Sequence, residues 1–205
     1  MEAMALPPSA ALGTPLPLPT RSPDMLHRLA TRRSAPAQAL MDPGPSDGDI
    51  DTLLTLAART PDHGKLFPWR FVVLGRQTRA DLAERLAVMA VEQGLPGKAT
   101  AVLAKLTAAP TTVLVISTAA PASKPVWEQE LSAGAVCMNL EHAADALGFS
   151  SSWITDWYSY DPDALALFGV REGEKVAGFV HIGTVAEPPL ERERPDVSAL
   201  TTTLP

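Results

Sequence analysis

The sequence predicts a domain in which a mixed β-sheet is flanked by helices. Four short apolar runs are typical of buried strands, and helical segments of unequal length separate them, which does not fit the regular alternation of a βαβ array. No G-x-G-x-x-G sequence follows any of these runs, so the dinucleotide fingerprint of the doubly wound folds is absent. With 205 residues, of which 46% are hydrophobic, the chain can bury a core without disulfides or a structural metal.

The N-terminal segment differs in composition from the rest of the chain. Six of the twenty prolines fall in the first 23 residues, which show no hydrophobic period. We therefore expect a disordered or extended leader over residues 1–22, followed by one domain over residues 23–205. No Lys or Arg precedes its apolar part, unlike a signal peptide. No apolar run approaches the ~18 residues of a membrane span, and the single cysteine suits a reducing compartment, so we expect a cytoplasmic protein without a membrane partner.

Caps and periodicity place the elements of the N-terminal half. A hydroxyl, a proline and an acid at Ser22-Pro23-Asp24 predict the start of a helix that ends around residues 31–34. Apolar residues at helical spacing predict helices over 49–59, 77–93 and 98–108. A short apolar run ended by glycine predicts a strand over 70–75, and a run that is β-branched and apolar on both faces predicts another over 112–117.

The longest helix of the C-terminal half is predicted over residues 127–147, where Gly148 closes it. Small residues, Ser132-Ala133-Gly134-Ala135, form its centre. Because a glycine inside a helix costs about 1 kcal/mol relative to alanine, we expect a neighbouring helix or a second subunit to approach this backbone closely. A strand over 149–155, a helix over 162–168 after an acidic cap, and a strand over 176–182 complete the prediction.

Composition and spacing exclude several kinds of chemistry. The net charge of −6 and the pI near 5.2 argue against a nucleic-acid surface, which carries clustered Lys and Arg. The four histidines lie far apart, and none has H-E-x-x-H spacing, so there is no metal motif. No G-x-S-x-G elbow is present, and Cys137, between Val136 and Met138, is interpreted as a core residue.

Two basic segments are candidates for binding an anion. Arg32, Arg33 and Ser34 follow the first helix, and two guanidiniums beside a hydroxyl can hold a phosphate by charge-assisted hydrogen bonds. The alternative is that these cations only complement the dipole at the helix C-terminus. Arg192 and Arg194 lie in an irregular tail and can reach the same anion, unless the neighbouring glutamates neutralise them on a solvated surface.

The segment of residues 60–69, TPDHGKLFPW, places a histidine, a lysine and two aromatics on irregular backbone directly before a buried strand. This arrangement is typical of a ligand loop on a rigid scaffold, and the alternative is a well-packed turn with Trp69 in the core. Trp153, Ile154 and Thr155 end a predicted strand, where such residues belong either to the core or to a cofactor pocket.

The order of these segments resembles the FMN-dependent nitroreductase family. The resemblance rests on R-R-S, then R-x-P-D-H and P-W before an apolar strand, W-E-Q-E-x-S-A-G opening the long helix, and L-G-F followed by a tryptophan. The last matching motifs are K-V-A-G-F and I-G-T, and the resemblance covers about residues 24–195. Within the family, the chain looks most like the compact bacterial subgroup with the P-D-H loop.

The resemblance implies an α+β fold, with a mixed, mostly antiparallel sheet flanked by helices, that works as a homodimer with FMN in each of two sites at the subunit interface. It assigns the FMN phosphate and ribityl chain to one set of residues and the flavin ring to others, some of them from the second subunit. By position in this sequence, Arg32, Arg33 and Ser34 hold the phosphate and ribityl chain, Arg192 and Arg194 supply further phosphate-binding cations, Arg59 and His63 reach the flavin across the interface, and Trp153, Ile154 and Thr155 line its pocket.

The implied activity is an FMN-dependent NAD(P)H oxidoreductase. NADH or NADPH gives hydride to flavin N5 and leaves, and a nitroaromatic or quinone then enters the same cleft in a ping-pong cycle. Two alternatives are another flavin reaction, such as dehydrogenation or dehalogenation, and a flavin-binding protein without turnover. The chain departs from relatives at Phe67, where many have glutamine, and at Ile154, where the subgroup has arginine, and Lys65 is a candidate replacement for that charge.

Overall fold

A computed structural model describes residues 6–204, and its centre is a four-stranded sheet. The sheet order is β1-β2-β4-β3, and each neighbouring pair is antiparallel, which confirms the α+β class. The sequence predicted a mixed sheet, but all pairings between the strands of the described residues are antiparallel. In chain order the strands are β1 (Trp69–Leu74), β2 (Thr111–Ser117), β3 (Ser150–Ile154) and β4 (Lys175–Gly183).

The described residues form seven α-helices. One predicted helix, over residues 98–108, is divided into two, because i→i+3 bonds such as Leu106 N–H to the Leu103 carbonyl tighten the chain at residues 102–103. In chain order the helices are α1 (Pro23–Thr31), α2 (Asp47–Ala57), α3 (Arg76–Glu92), α4 (Lys98–Ala101), α5 (Ala104–Ala108), α6 (Val126–Ala146) and α7 (Pro162–Leu167).

The caps explain where the first two helices begin. Ser22 Oγ accepts a hydrogen bond from the Met25 N–H at 3.3 Å, as the sequence predicted. Helix α2 begins two residues before the predicted start, because Ser46 and Asp49 form a capping box in which each side chain bonds the other residue's backbone N–H.

Two apolar layers sandwich the sheet. Side chains alternate between the two faces along β2. Val113 and Val115 pack with α2 and α6, whereas Leu114 and Ile116 pack with α3 and α5. All four side chains are fully buried. Cys137 lies in the first layer, and burial raises the pKa of its thiol to about 12, which confirms its interpretation as a core residue.

A close contact fixes the side chain at the end of β3. The Trp153 ring lies across Gly178 of β4, where a Cβ would come within 2.0 Å of Trp153 Nε1. The same Nε1 donates to the Ala177 carbonyl at 3.1 Å. The glycine inside β4 is therefore required by the indole that covers it.

Among residues 6–204, none of the helices combines the length and the hydrophobicity that a membrane span needs.

Candidate cofactor site

The first candidate group is a cluster of arginines where α1 ends. Arg32 leaves the helical conformation and the chain continues in an irregular path. The C-terminal tail folds back onto this point, since Arg194 donates to the Arg32 carbonyl at 3.2 Å and Arg33 Nε donates to the Leu190 carbonyl at 2.9 Å. Arg192 instead bonds the Glu193 carbonyl of its own segment. The structure thus brings Arg32, Arg33 and Arg194 together.

A buried carboxylate, Glu141 of α6, lies beneath this cluster and was missed in the sequence. Only 4% of Glu141 is exposed, and its Oε1 accepts from Ser34 Oγ at 3.5 Å and from Ser151 Oγ at 3.3 Å. Its Oε2 is 3.6 Å from Arg32 NH1. The signal that could have found it is its position on the apolar stripe of α6, directly after buried Leu140. Glu141 ties Arg32 and Ser34 to α6.

A cavity of about 210 Å³ opens between these groups. Its volume is below the range of about 300–1,000 Å³ that holds complete small-molecule ligands, so it suits a phosphate-sized anion. Arg32 and Arg33 line it together with two carboxylates, Glu141 and Asp145, each of which lies close to an arginine, Arg32 and Arg28 respectively.

The second candidate group is the loop of residues 60–69, which is fixed to the N-terminal half of α6. Ser132 Oγ donates to the Pro61 carbonyl at 3.0 Å and accepts from Trp69 Nε1 at 3.1 Å. His63 Nδ1 lies 2.5 Å from Glu128 Oε2 in the first turns of α6. These contacts attach the loop to α6, and the half-buried Trp69 packs there.

Two residues of this loop have left-handed backbone. Lys65 has φ +58° and Phe67 has φ +47°, a conformation that costs non-glycine residues about 1–2 kcal/mol each. Asp62 supports it, because its Oδ2 accepts from the Phe67 N–H at 2.9 Å. The Phe67 side chain remains 61% exposed, with its ring edge-on to Trp69.

The two groups are separated along α6. His63 contacts Glu128, and Ser34 contacts Glu141, which lies 13 residues further along the helix. At 1.5 Å per residue this is roughly 20 Å. One chain therefore does not bring His63 to the arginine cluster. Arg59 follows α2 on an exposed surface and makes no side-chain hydrogen bond with any described residue.

The third candidate group is the end of β3. Trp153 is 36% exposed over Gly178, Ile154 is half-buried, and Thr155 Oγ1 accepts from the Tyr160 hydroxyl at 3.0 Å. Ser151, which contacts Glu141, lies three residues before Ile154 on the same strand, or roughly 10 Å away. Strand β3 thus runs from the arginine cluster to the Trp153 side chain.

Two relatives of this chain have names that refer to NAD(P)H nitroreductases. YdjA of Escherichia coli K12, a candidate NAD(P)H nitroreductase by its name, is 34% identical over 166 residues, covering 78% of this chain and 88% of YdjA. A protein of Haemophilus influenzae with the same description is 36% identical over 168 residues, covering 80% of this chain and 90% of its own.

Solved structures show the same fold. A nitroreductase-like protein of Bacillus cereus superimposes with a TM-score of 0.76 at 19% identity, covering 91% of this chain and 99% of its own. A candidate nitroreductase of Desulfovibrio desulfuricans, solved in complex with FMN, gives 0.71 at 20% identity with the same coverage. The family model for the nitroreductase family matches residues 29–184. The chain is therefore a member of the nitroreductase family.

Proposed function

We propose that the protein is an FMN-dependent NAD(P)H oxidoreductase that reduces electron-poor acceptors such as nitroaromatics or quinones in a ping-pong cycle. The observation that carries the proposal is the arginine cluster, in which Arg32 and Arg33 line a cavity of phosphate size. Beside it, Arg194 donates to the Arg32 carbonyl and Ser34 Oγ accepts from Arg32 NH1 at 3.3 Å. Family membership and the NAD(P)H nitroreductase names of the relatives support it. The structure from Desulfovibrio desulfuricans, whose fold this chain shares, contains FMN.

The donor set fits a flavin mononucleotide. Guanidinium groups are suited to a phosphate, and a serine hydroxyl is suited to the ribityl chain. Strand β3 leads from this end to Trp153, Ile154 and Thr155, which would line the ring. When bound, FMN supplies hydride transfer between NAD(P)H and the acceptor, so none of this chain's side chains has to act as a nucleophile.

A homodimer explains the separation of the candidate groups. Because His63 lies roughly 20 Å along α6 from the cluster, a second copy is the natural source of the Arg59 and His63 that would reach each flavin. Apolar surface for such an interface is present. Helix α1 has no buried residue, and large side chains on α1 and α6 are about half exposed or more, namely Met25, Leu26, Leu29, Trp127 and Leu131.

The absorbance spectrum of the purified protein tests the proposal. We expect a yellow flavin band that bleaches when NADH or NADPH is added without oxygen and returns when a nitroaromatic or quinone is added. Bound FMN that stays oxidised would identify a flavin-binding protein without turnover instead. Protein that takes up no FMN would contradict both functions.

Replacement of Arg33 by alanine is expected to weaken FMN binding by about 1.5–3 kcal/mol, the scale of a hydrogen bond to a charged group. Fluorescence titration of the apoprotein with FMN measures the change. The matched control is Arg85→Ala, which removes the same charge from an exposed position on α3. Equal affinities of the two variants would remove Arg33 from the site.

A further inference from the structure

The leader forms a second cavity against the outer face of α2. Its volume is about 620 Å³, within the range typical of small-molecule sites. Two leader segments, residues 6–10 and 15–17, line one side, and Thr55, Leu56 and Arg59 line the other. The family model matches residues 29–184, so the leader wall lies outside the matched residues.

A turn in the leader brings its two segments to the same cavity. The Thr14 N–H donates to the Ala11 carbonyl at 3.0 Å, and Gly13 at the third position of this turn has φ +85°. A type II turn requires positive φ at that position, which glycine adopts without strain. The turn reverses the chain, so that Leu6 and Leu16 from opposite sides of it both face α2.

Chemically, the cavity is apolar with one positive charge. Four prolines and the side chains of Leu6, Leu16 and Leu56 supply the apolar wall, and Arg59 is the only charged residue in the lining among the described residues. Thr55 and Arg59 are four residues apart and lie on one face, since the helical turn of α2 continues through the Arg59 N–H bond to the Leu56 carbonyl. In a chain with net charge −6, this cation is the local feature that attracts an anion.

We propose that this leader cavity holds the electron acceptor and selects aromatic molecules that carry an anionic group, with the ring on the leucines and prolines and the anion on Arg59. The inference rests on the proposed function, in which Arg59 reaches the flavin of the second copy. An acceptor paired with Arg59 then lies beside the place of its reduction. The leader thereby acts as a specificity element outside the residues that the family model matches.

The test compares two pairs of leader substitutions in the holoenzyme. The lining pair is Leu6→Ser with Leu16→Ser, and the control pair is Leu12→Ser with Leu18→Ser, whose side chains are 103% and 86% exposed and do not line the cavity. Anaerobic stopped-flow mixing follows the reoxidation of NADH-reduced protein by 4-nitrobenzoate and by its neutral analogue 4-nitrotoluene.

The lining pair is expected to raise the half-saturating concentration of 4-nitrobenzoate about tenfold, the scale of an altered apolar pocket wall, and the control pair is expected to leave it unchanged. Equal behaviour of the two pairs, or an unsubstituted protein that saturates equally well with 4-nitrotoluene, would overturn the proposal. Bleaching of the flavin band by NADH tests the proposed function separately.

If NADH does not bleach the flavin band, equilibrium dialysis measures the binding of 4-nitrobenzoate directly. A lining-pair variant that binds 4-nitrobenzoate as well as the unsubstituted protein would then contradict the proposed cavity site.

Discussion

Replacement of Arg79 by methionine is expected to lower the free energy of unfolding by about 3–5 kcal/mol. Arg79 of α3 is fully buried, and its guanidinium donates to the carbonyls of Leu74 at 3.0 Å, Leu106 at 2.9 Å and Pro110 at 2.7 Å. These carbonyls belong to the end of β1, to α5 and to the residue before β2. Methionine fills much of the volume but leaves three carbonyl acceptors unpaired, two of them buried and one partly buried, each at about 1–3 kcal/mol. Removal of the buried charge offsets part of the loss.

Urea unfolding followed by circular dichroism measures this change. Arg85→Met is the matched control, because it makes the same substitution on the exposed side of the same helix. Its effect is expected to stay within about 0.5 kcal/mol. If the Arg79 variant were as stable as the Arg85 variant, the three carbonyl bonds would contribute nothing to the fold.

The second large effect is a loss of stability in mild acid that depends on His181. This residue of β4 is fully buried, with Nδ1 2.8 Å from Thr112 Oγ1 and with no hydrogen-bond partner for Nε2 among the described residues. Burial, helped by the charges of Arg79 and Lys105, lowers the pKa of its imidazole to about 3. The folded protein therefore keeps His181 neutral throughout the mildly acidic range.

The sign follows from proton binding in the two states. An unfolded histidine has a pKa of about 6.5, so between that pH and about 3 the unfolded chain binds a proton that the folded chain does not. Stability is fully present above pH ~6.5 and falls by up to about 1.4 kcal/mol per pH unit as the pH decreases through this range.

A His181→Phe variant should lose this slope, at the cost of about 1 kcal/mol at neutral pH for the bond to Thr112. Urea midpoints measured between pH ~6.5 and ~5 isolate the effect from the titration of carboxylates such as Glu174, whose pKa is lowered by Arg70 and which acts only in stronger acid. His27→Phe, at an exposed position on α1, is the control. A parallel pH dependence for the His181 variant and the unsubstituted protein would refute the assignment.

Local signals were enough to predict the elements. The Ser22 cap, the run of residues 112–117 and the glycine after the long helix each act within a few residues, and the structure places α1, β2 and α6 within one residue of the predicted bounds. The strand order could not be predicted, because β2 pairs with β4 across about 60 residues and no local pattern encodes that partner.

The burial of polar side chains could not be predicted from the sequence either. Arg79 looks like a surface residue of an amphipathic helix, and the charge of Glu141 argues for exposure although the residue lies on the apolar stripe of α6. The carbonyls and hydroxyls that the fold brings to these two side chains explain their burial. In the candidate site, the resemblance placed Arg32, Arg33, Ser34, Arg192 and Arg194 around the phosphate and ribityl chain. The structure brings Arg32, Arg33, Ser34 and Arg194 together, whereas Arg192 bonds within its own segment. Their roles towards FMN, and those of Arg59, His63, Arg192 and the end of β3, stay predictions.

The leader also sets a thermodynamic condition on the cavity that it forms with α2. Residues 6–17 make one internal hydrogen bond and none to any other described residue. Holding such a segment in place costs backbone entropy of about 1–2 kcal/mol per residue. Each proline has its φ restricted in the free chain as well, so a proline-rich segment loses less freedom when it orders. The affinity for an acceptor should therefore rise as the entropy that the leader loses on ordering falls. The prolines reduce this loss, which allows a segment without helix or strand to form one wall of the cavity.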